Sequence, residues 1–190
     1  MPGEYRARIR VGSGGHGSRR SFEVLDAGRP PYGQTMRELR RLHAAAVTVV
    51  TTVTDEGFRG VTVSAFCIVS LEPPIVLICL DQGGEAVQAI TASGRFAVSV
   101  LSDAQEFLAE QFAGRAPLVN PRFQGVRHRL AKTGCPVLED CLAWFDCVVQ
   151  TALPAGDHVV LLGKVTQAGH GTGVRPLLYF DGDYHELQID

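Results

Sequence analysis

The sequence predicts a mainly β protein with peripheral helices, an antiparallel Greek-key-like barrel, and three observations carry that expectation. Apolar and β-branched runs of strand length recur along most of the chain. Many of them are joined by connections of hairpin length. No G-x-G-x-x-G opens a helix after a strand, and helical spacing is confined to three short segments, which disfavours a doubly wound parallel sheet.

Residues 1 to 34 differ from the rest: Gly12, Gly14, Gly15 and Gly17 interleave with Ser13, Ser18, Arg19 and Arg20, and Pro30-Pro31 closes the segment. Such composition buries little apolar surface, so it predicts a flexible N-terminal extension ahead of one domain over 35–190. Thr35 followed by MRELRRLHAAA reads as an N-cap and an amphipathic helix, with Met36, Leu39, Leu42 and Ala46 on its apolar side. The period then changes to that of a strand. VTVVTTVT over Val47–Thr54, the turn signal Asp55-Glu56-Gly57, and a second strand from Gly60 make a hairpin.

The stretch GVTVSAFCIVSLEPPIVLICLD, Gly60–Asp81, sets two apolar strands on either side of a Glu-Pro-Pro corner. Thr62 and Ser64 stand two apart and therefore face one side, while Val61, Val63 and Ala65 face the other. One side can be wet and the other core. Ile75–Leu80 is the next strand, Glu85–Ala92 a short helix, Arg95–Leu101 a strand and Ala104–Phe112 a helix. Cys141–Ala152 and His158–Ala168 flank Pro154-Ala155-Gly156-Asp157, and Pro176–Phe180 and Tyr184–Leu187 flank Asp181-Gly182-Asp183. Trp144 and Phe145 alternate along their strand, so one of them faces the core.

A chain of 190 residues buries a core without disulfides or a structural metal. With 45% hydrophobic and 20% charged residues and a net charge of −2, it has no electrostatic case for nucleic acid or an anionic membrane. No run approaches the roughly 20 continuous apolar residues that span a bilayer, and no apolar segment follows Arg6, Arg8 and Arg10, so a cytoplasmic location is expected. Cys67, Cys79, Cys135, Cys141 and Cys147 form no CxxC and lie in apolar runs, which predicts buried, reduced thiols. The six histidines lack paired metal-ligand spacing, so no metal site is expected. Walker A, HExxH and G-x-S-x-G signatures are also missing.

Seven segments occur in an order that resembles the short-chain flavin reductases, the small partners of two-component flavin-dependent monooxygenases. They are AVTVVTTV with a following Gly, GVTVSAFCIVSLEPPIVLICLD, ASGRFAVSVL, the Gln105–Gly114 helix ending in FAG, GCPVLEDCLAWFDCVV, AGDHVVLLGKV and PLLYFDGDY. The resemblance covers Leu39–Leu187 and implies an FMN-binding split β-barrel that works as a homodimer. It implies an NAD(P)H:flavin oxidoreductase, which passes hydride from NADH or NADPH to FMN or FAD and supplies reduced flavin to a separate monooxygenase.

Carried over by position, the resemblance makes Gly60, Val61, Thr62, Ser64 and Ala65 the wall along the flavin ring. Cys79, Leu80, Asp81, Glu85 and Ala86 become the passage for its ribityl chain and phosphate, with Gln111 and Phe112 near its tail. Asp157 and His158 form the GDH motif associated with nicotinamide use, His158 being the candidate catalytic side chain, and Tyr179 and Phe180 stand in the closing hairpin of the same cleft. There are departures. Relatives commonly carry Ser, Thr, Arg or Lys where this chain has Gln82-Gly83-Gly84-Glu85-Ala86, Ile68 stands where many have Ser, and Ser99 where many have Asn. The glycine amides there can cradle an anion, although Glu85 repels one. These departures motivate a rival reading, a non-reductase flavin- or ligand-binding member of the same barrel with a repurposed cleft.

Overall fold

The computed structural model describes residues 7–8, 32–114 and 123–189. The elements are β1 (Ala7–Arg8), α1 (Tyr32–Arg41), β2 (Ala45–Ala46), β3 (Thr48–Thr54), β4 (Gly57–Val63), β5 (Phe66–Leu71), β6 (Pro74–Asp81), α2 (Glu85–Ser93) and β7 (Arg95–Val100). A 3-10 turn (Asp103–Gln105) runs into α3 (Glu106–Phe112), followed by β8 (His128–Leu130), β9 (Pro136–Leu138), β10 (Ala143–Ala155), β11 (His158–His170), β12 (Leu177–Phe180), β13 (Asp183–Glu186) and β14 (Gln188–Ile189).

Seven strands form one antiparallel sheet in the order β4-β3-β7-β10-β11-β6-β5. Its two edge strands, β4 and β5, are consecutive in the chain, joined only by Ser64 and Ala65. A flat sheet would set those edges about 29 Å apart, six spacings of roughly 4.8 Å, whereas Val63 to Phe66 spans about 10 Å at full extension. The sheet therefore closes on itself. The Cys79 amide seals the join by donating to the Ala65 carbonyl at 3.0 Å.

The inside of the barrel is filled by alternate residues: Val50, Val63, Val76, Ile78, Leu80, Phe96, Val98, Cys147, Val159 and Leu161, with Val87 and Ile90 of α2 in the same cluster. Gly163 belongs here because a Cβ would lie 2.4 Å from the Phe96 ring. A second cluster lies outside the barrel, where α3 and β12 cover Val47, Val49 and Leu101. A third joins Ala97, Cys135, Val137, Cys141 and Trp144 under β9. Strand β3 thus has cover on both faces, and its residues 48–52 are all buried. Trp144 is buried in the third cluster while Phe145 packs on the barrel interior, so both aromatics are core residues on opposite faces.

Several boundaries differ from expectation. The first helix starts at Tyr32, directly after Pro31, so Thr35 is its fourth residue rather than its cap; proline is well suited to the position before a helix body. Its apolar side is not buried: Met36, Leu39 and Leu42 are 55%, 45% and 40% exposed. The first hairpin closes earlier, pairing Thr54 with Gly57, whose φ of +115° suits only glycine. Cys67 is exposed because it lies on edge strand β5; Cys135, Cys141 and Cys147 are buried and all five thiols are free. The extension of residues 1 to 34 falls mostly outside the described residues, though Ala7–Arg8 pairs antiparallel with Gln188–Ile189. Among the described residues, no helix is long and apolar enough to cross a membrane.

Candidate active site

Thr62 of β4 and Ser64, the first residue of the link after it, lie on the outer side, while Val61 and Val63 point into the barrel. They line a cleft of about 310 Å³ with Val47, Ala113 of the α3 end, Tyr179 and Tyr184 of the β12–β13 hairpin, and Arg40 of α1. The Thr62 hydroxyl donates to the Ala109 carbonyl at 2.7 Å, so it presents lone pairs rather than a proton to the cleft. Tyr179 and Tyr184 are cross-strand partners whose rings meet edge to face at 5.3 Å. β4 is hydrogen-bonded to β3 and ends the strand order, so its other edge carries no ladder.

A second group stands on the outer face of β6 and β11. His158 is the register partner of Asp81, and Val160 that of Cys79. The turn Gly156-Asp157 is tight, with Gly156 at φ +67°, and the Asp157 carbonyl accepts from the Gln82 amide at 3.0 Å. His158 Nδ1 lies 2.7 Å from Asp157 Oδ1. An Nδ1–H donating to the carboxylate fixes the ring and leaves Nε2 as its remaining polar atom. That hydrogen bond first, and then the charge of His158, holds the Asp157 carboxyl below its ordinary range; Arg37 of α1 adds a smaller pull in the same direction. Burial, and then the charge of Asp157, pushes the Cys79 thiol up, so Cys79 is a neutral neighbour and not a nucleophile. Ser64-Ala65 links the two groups, because Ala65 borders Cys79 directly.

Not every predicted site residue faces this strip. Leu80 and Val61 turn their side chains to the barrel interior, and Ala86 packs against the same cluster. Phe112 is core: its ring fills the space where a Gly60 Cβ would sit, 2.6 Å away. Gly60 is thus required by α3 packing. Gln111 is 3% exposed, and its buried Nε2 has no hydrogen-bond partner among the described residues. Phe180 alternates away from Tyr179 and meets the His185 ring edge to face at 6.0 Å. The amides of Gly83 and Gly84 do not form an open anion cradle, since Gly83 donates to Asp81 Oδ1 and Gly84 to the Asp81 carbonyl. Glu85 begins α2 and is exposed.

Arg40, Val47 and Ala113 were not legible as cleft residues. For Arg40 the signal was available: Arg37, Arg40 and Arg41 share one helix face at spacings of three and four. A second cavity, of about 320 Å³ between Arg129, Asp140, Trp144, His170 and Thr172, contains none of the expected residues. No group of three or more metal-ligating side chains occurs among the described residues.

The site thus combines a closed antiparallel barrel, a cleft lined by hydroxyls and tyrosines, and a histidine oriented by its neighbouring aspartate. The family model described as "Flavin reductase like domain" matches residues 39–188, and the chain belongs to that family. A relative from Variovorax paradoxus (strain S110), named FMN reductase (NADH) RutF, is 38% identical over 173 residues, covering 88% of this chain and 93% of that protein. The reductase subunit HsaB of a flavin-dependent monooxygenase from Mycobacterium tuberculosis (strain ATCC 25618 / H37Rv) is 37% identical over 157 residues, 82% of each chain. Among solved structures, the NADH:FAD oxidoreductase of Streptomyces globisporus superposes with a TM-score of 0.79 at 32% identity, covering 90% of this chain and 99% of that one.

Proposed function

We propose that this flavin reductase binds flavin against the Thr62–Ala65 wall and a nicotinamide nucleotide beside Asp157-His158, and hands reduced flavin to a separate flavin-dependent monooxygenase. The observation that supports this reading is the backbone hydrogen bond from Cys79 to Ala65, which sets the end of the Thr62–Ser64 wall beside the strand that carries Asp81 opposite His158. Flavin and nicotinamide are the cofactors of the family, and together they supply the hydride acceptor and the hydride donor. The cleft suits them: its hydroxyls match a polar ring edge, and its tyrosines offer apolar faces.

The protein's share is orientation. Ser64 and the free edge of β4 hold the ring edge, and Thr62 accepts rather than donates there. Asp157 fixes the His158 ring so that Nε2 meets the nicotinamide or its phosphates. Two aligned rings need no strong acid or base for hydride transfer, which fits a cleft without a catalytic dyad. The Variovorax relative is named for FMN and the Streptomyces one for FAD, and both are named for NADH, so NADH is the favoured donor while either flavin fits. A monooxygenase partner is supported by the Mycobacterium relative. A homodimer in the cytoplasm, with residues 35–190 as the working domain, completes the reading.

The test is to titrate the protein with FMN and FAD by flavin fluorescence and to follow NADH and NADPH oxidation with each. Oxidation that depends on flavin is expected, and its absence in every combination would sink the reading. His158→Ala is expected to raise the KM for the nicotinamide nucleotide with a smaller change in kcat. Unchanged constants would remove His158 from the site.

A further inference from the structure

Helix α1 is turned the opposite way from a helix that simply packs. Met36 and Leu39 stand exposed, while its basic face looks toward the body: Arg41 donates to the Asp181 carbonyl at 2.7 Å and pairs with its carboxylate, and Arg40 lines the cleft. Arg41 has its anion. The Arg40 guanidinium, unlike its carbonyl, which accepts from the His43 amide, forms no hydrogen bond or ion pair with any described residue. Arg40 is exposed at the rim of the cleft, so its guanidinium is free to form charge-assisted hydrogen bonds with an anionic group of a ligand bound there.

The loop after β6 has the complementary lack. Between Asp81 and Ala86 there is no Ser, Thr, Lys or Arg, both glycine amides are spent on Asp81, and Glu85 adds a negative charge. An anion arriving on the outer strip therefore finds no cation on β6 or α2. It finds one on α1, and Arg37, one turn away from Arg40, adds positive potential at the Asp157 turn.

We propose that Arg40 is the anchoring cation for a phosphate group of the nucleotide held in the Thr62–Ser64–Tyr179 cleft, taking the place of the basic side chains missing after Asp81. The inference rests on the flavin reductase reading and adds to it a residue and the group it binds. The phosphate belongs either to the flavin or to the nicotinamide nucleotide, and both present the same chemistry to a guanidinium.

The full chain, Arg40→Ala and Arg40→Lys would each be titrated with FMN and riboflavin by fluorescence and with NAD+ by calorimetry. Riboflavin has the ring without the phosphate. A loss of about tenfold or more in FMN affinity in Arg40→Ala, with riboflavin unchanged and partial recovery in Arg40→Lys, assigns Arg40 to the flavin phosphate. The same loss for NAD+ with both flavins unchanged assigns it to the nicotinamide nucleotide. Equal losses for FMN and riboflavin, or no loss for any ligand, overturn the proposal while the reductase reading stands. Wild-type protein that binds neither flavin nor NAD+ and oxidises no NADH removes that reading, and the inference with it. Unchanged riboflavin affinity also reports that the variant is folded.

Discussion

Asp157, in the turn, and His158, the first residue of β11, form a pair. The side chain of Asp157 is 92% exposed and that of His158 33%, so the contact orients the ring more than it stabilises the fold. The carboxyl of Asp157 is held low, chiefly by the hydrogen bond from His158. A folded value below the unfolded one means that the pair's contribution is complete above the ordinary carboxylate pKa, about 3.9, and fades only as pH falls through the lowered value. Protonation of Asp157 therefore has no part in the pH profile from pH 5 upward. Asp157→Asn breaks the pair at any pH, and at neutral pH it is expected to raise the KM for NADH roughly two- to fivefold, as for an exposed ion pair. Steady-state kinetics of the variant from pH 5 to 8 check this; a KM equal to wild type throughout would show that His158 needs no orienting carboxylate. At this scale the sequence was a good guide where strand alternation decides direction, as for Thr62 and Ser64. It was a poor one for Leu80, Phe112 and Phe180, whose position in the chain matches the family but whose side chains turn to the core or to His185.

Hairpins were legible as elements because their signals are local: turn residues between β-branched runs recovered β3–β4, β5–β6, β10–β11 and β12–β13. What joins distant elements was not. The short strand β9 and the loop before it are held to the barrel by Asp146, a fully buried carboxylate in β10 that accepts from the Thr133 amide at 2.9 Å, the Thr133 hydroxyl, and the Thr166 hydroxyl at 3.0 Å. An aspartate inside AWFDCVV reads as an interruption in a strand, and only the fold shows the three donors that it satisfies. Asp146→Ala removes the acceptor of both Thr133 donors, while the Thr166 hydroxyl keeps the residue 146 carbonyl at 3.1 Å, so a loss of about 2 kcal/mol is expected. Asp146→Asn keeps one acceptor oxygen and should fall between. Urea unfolding of both variants measures this, and a loss below about 1 kcal/mol for Asp146→Ala would mean that water replaces the carboxylate. Helix α1 failed for a related reason. Amphipathic spacing identifies an apolar face but does not say which body covers it, and here the described residues leave it exposed.

Closure of the barrel consumes the edges of the sheet near Ala65 and leaves β5 bonded on one side only, to β6. That strand carries Ile68, Val69 and Leu71 at 51%, 52% and 84% exposure, and Val148 and Leu153 of β10 are 43% and 49% exposed on the same sheet. A long apolar edge strand left to solvent invites pairing with another chain. The homodimer proposed above would cover this surface and with it Cys67, the second residue of β5, which is exposed within an apolar run. Val69→Asp with Leu71→Asp places two charges on the surface without touching the interior clusters. Light scattering should find wild type at twice the chain mass and the double variant at the chain mass, with circular dichroism unchanged. Wild type that stays monomeric at micromolar concentration would remove the dimer. If the variant dissociates while its flavin affinity stays equal to wild type, the cleft is complete within one subunit. If affinity falls with dissociation, the partner copy contributes to the site, and the outer strip from Thr62 to His158 is then one wall of a cavity shared between two chains.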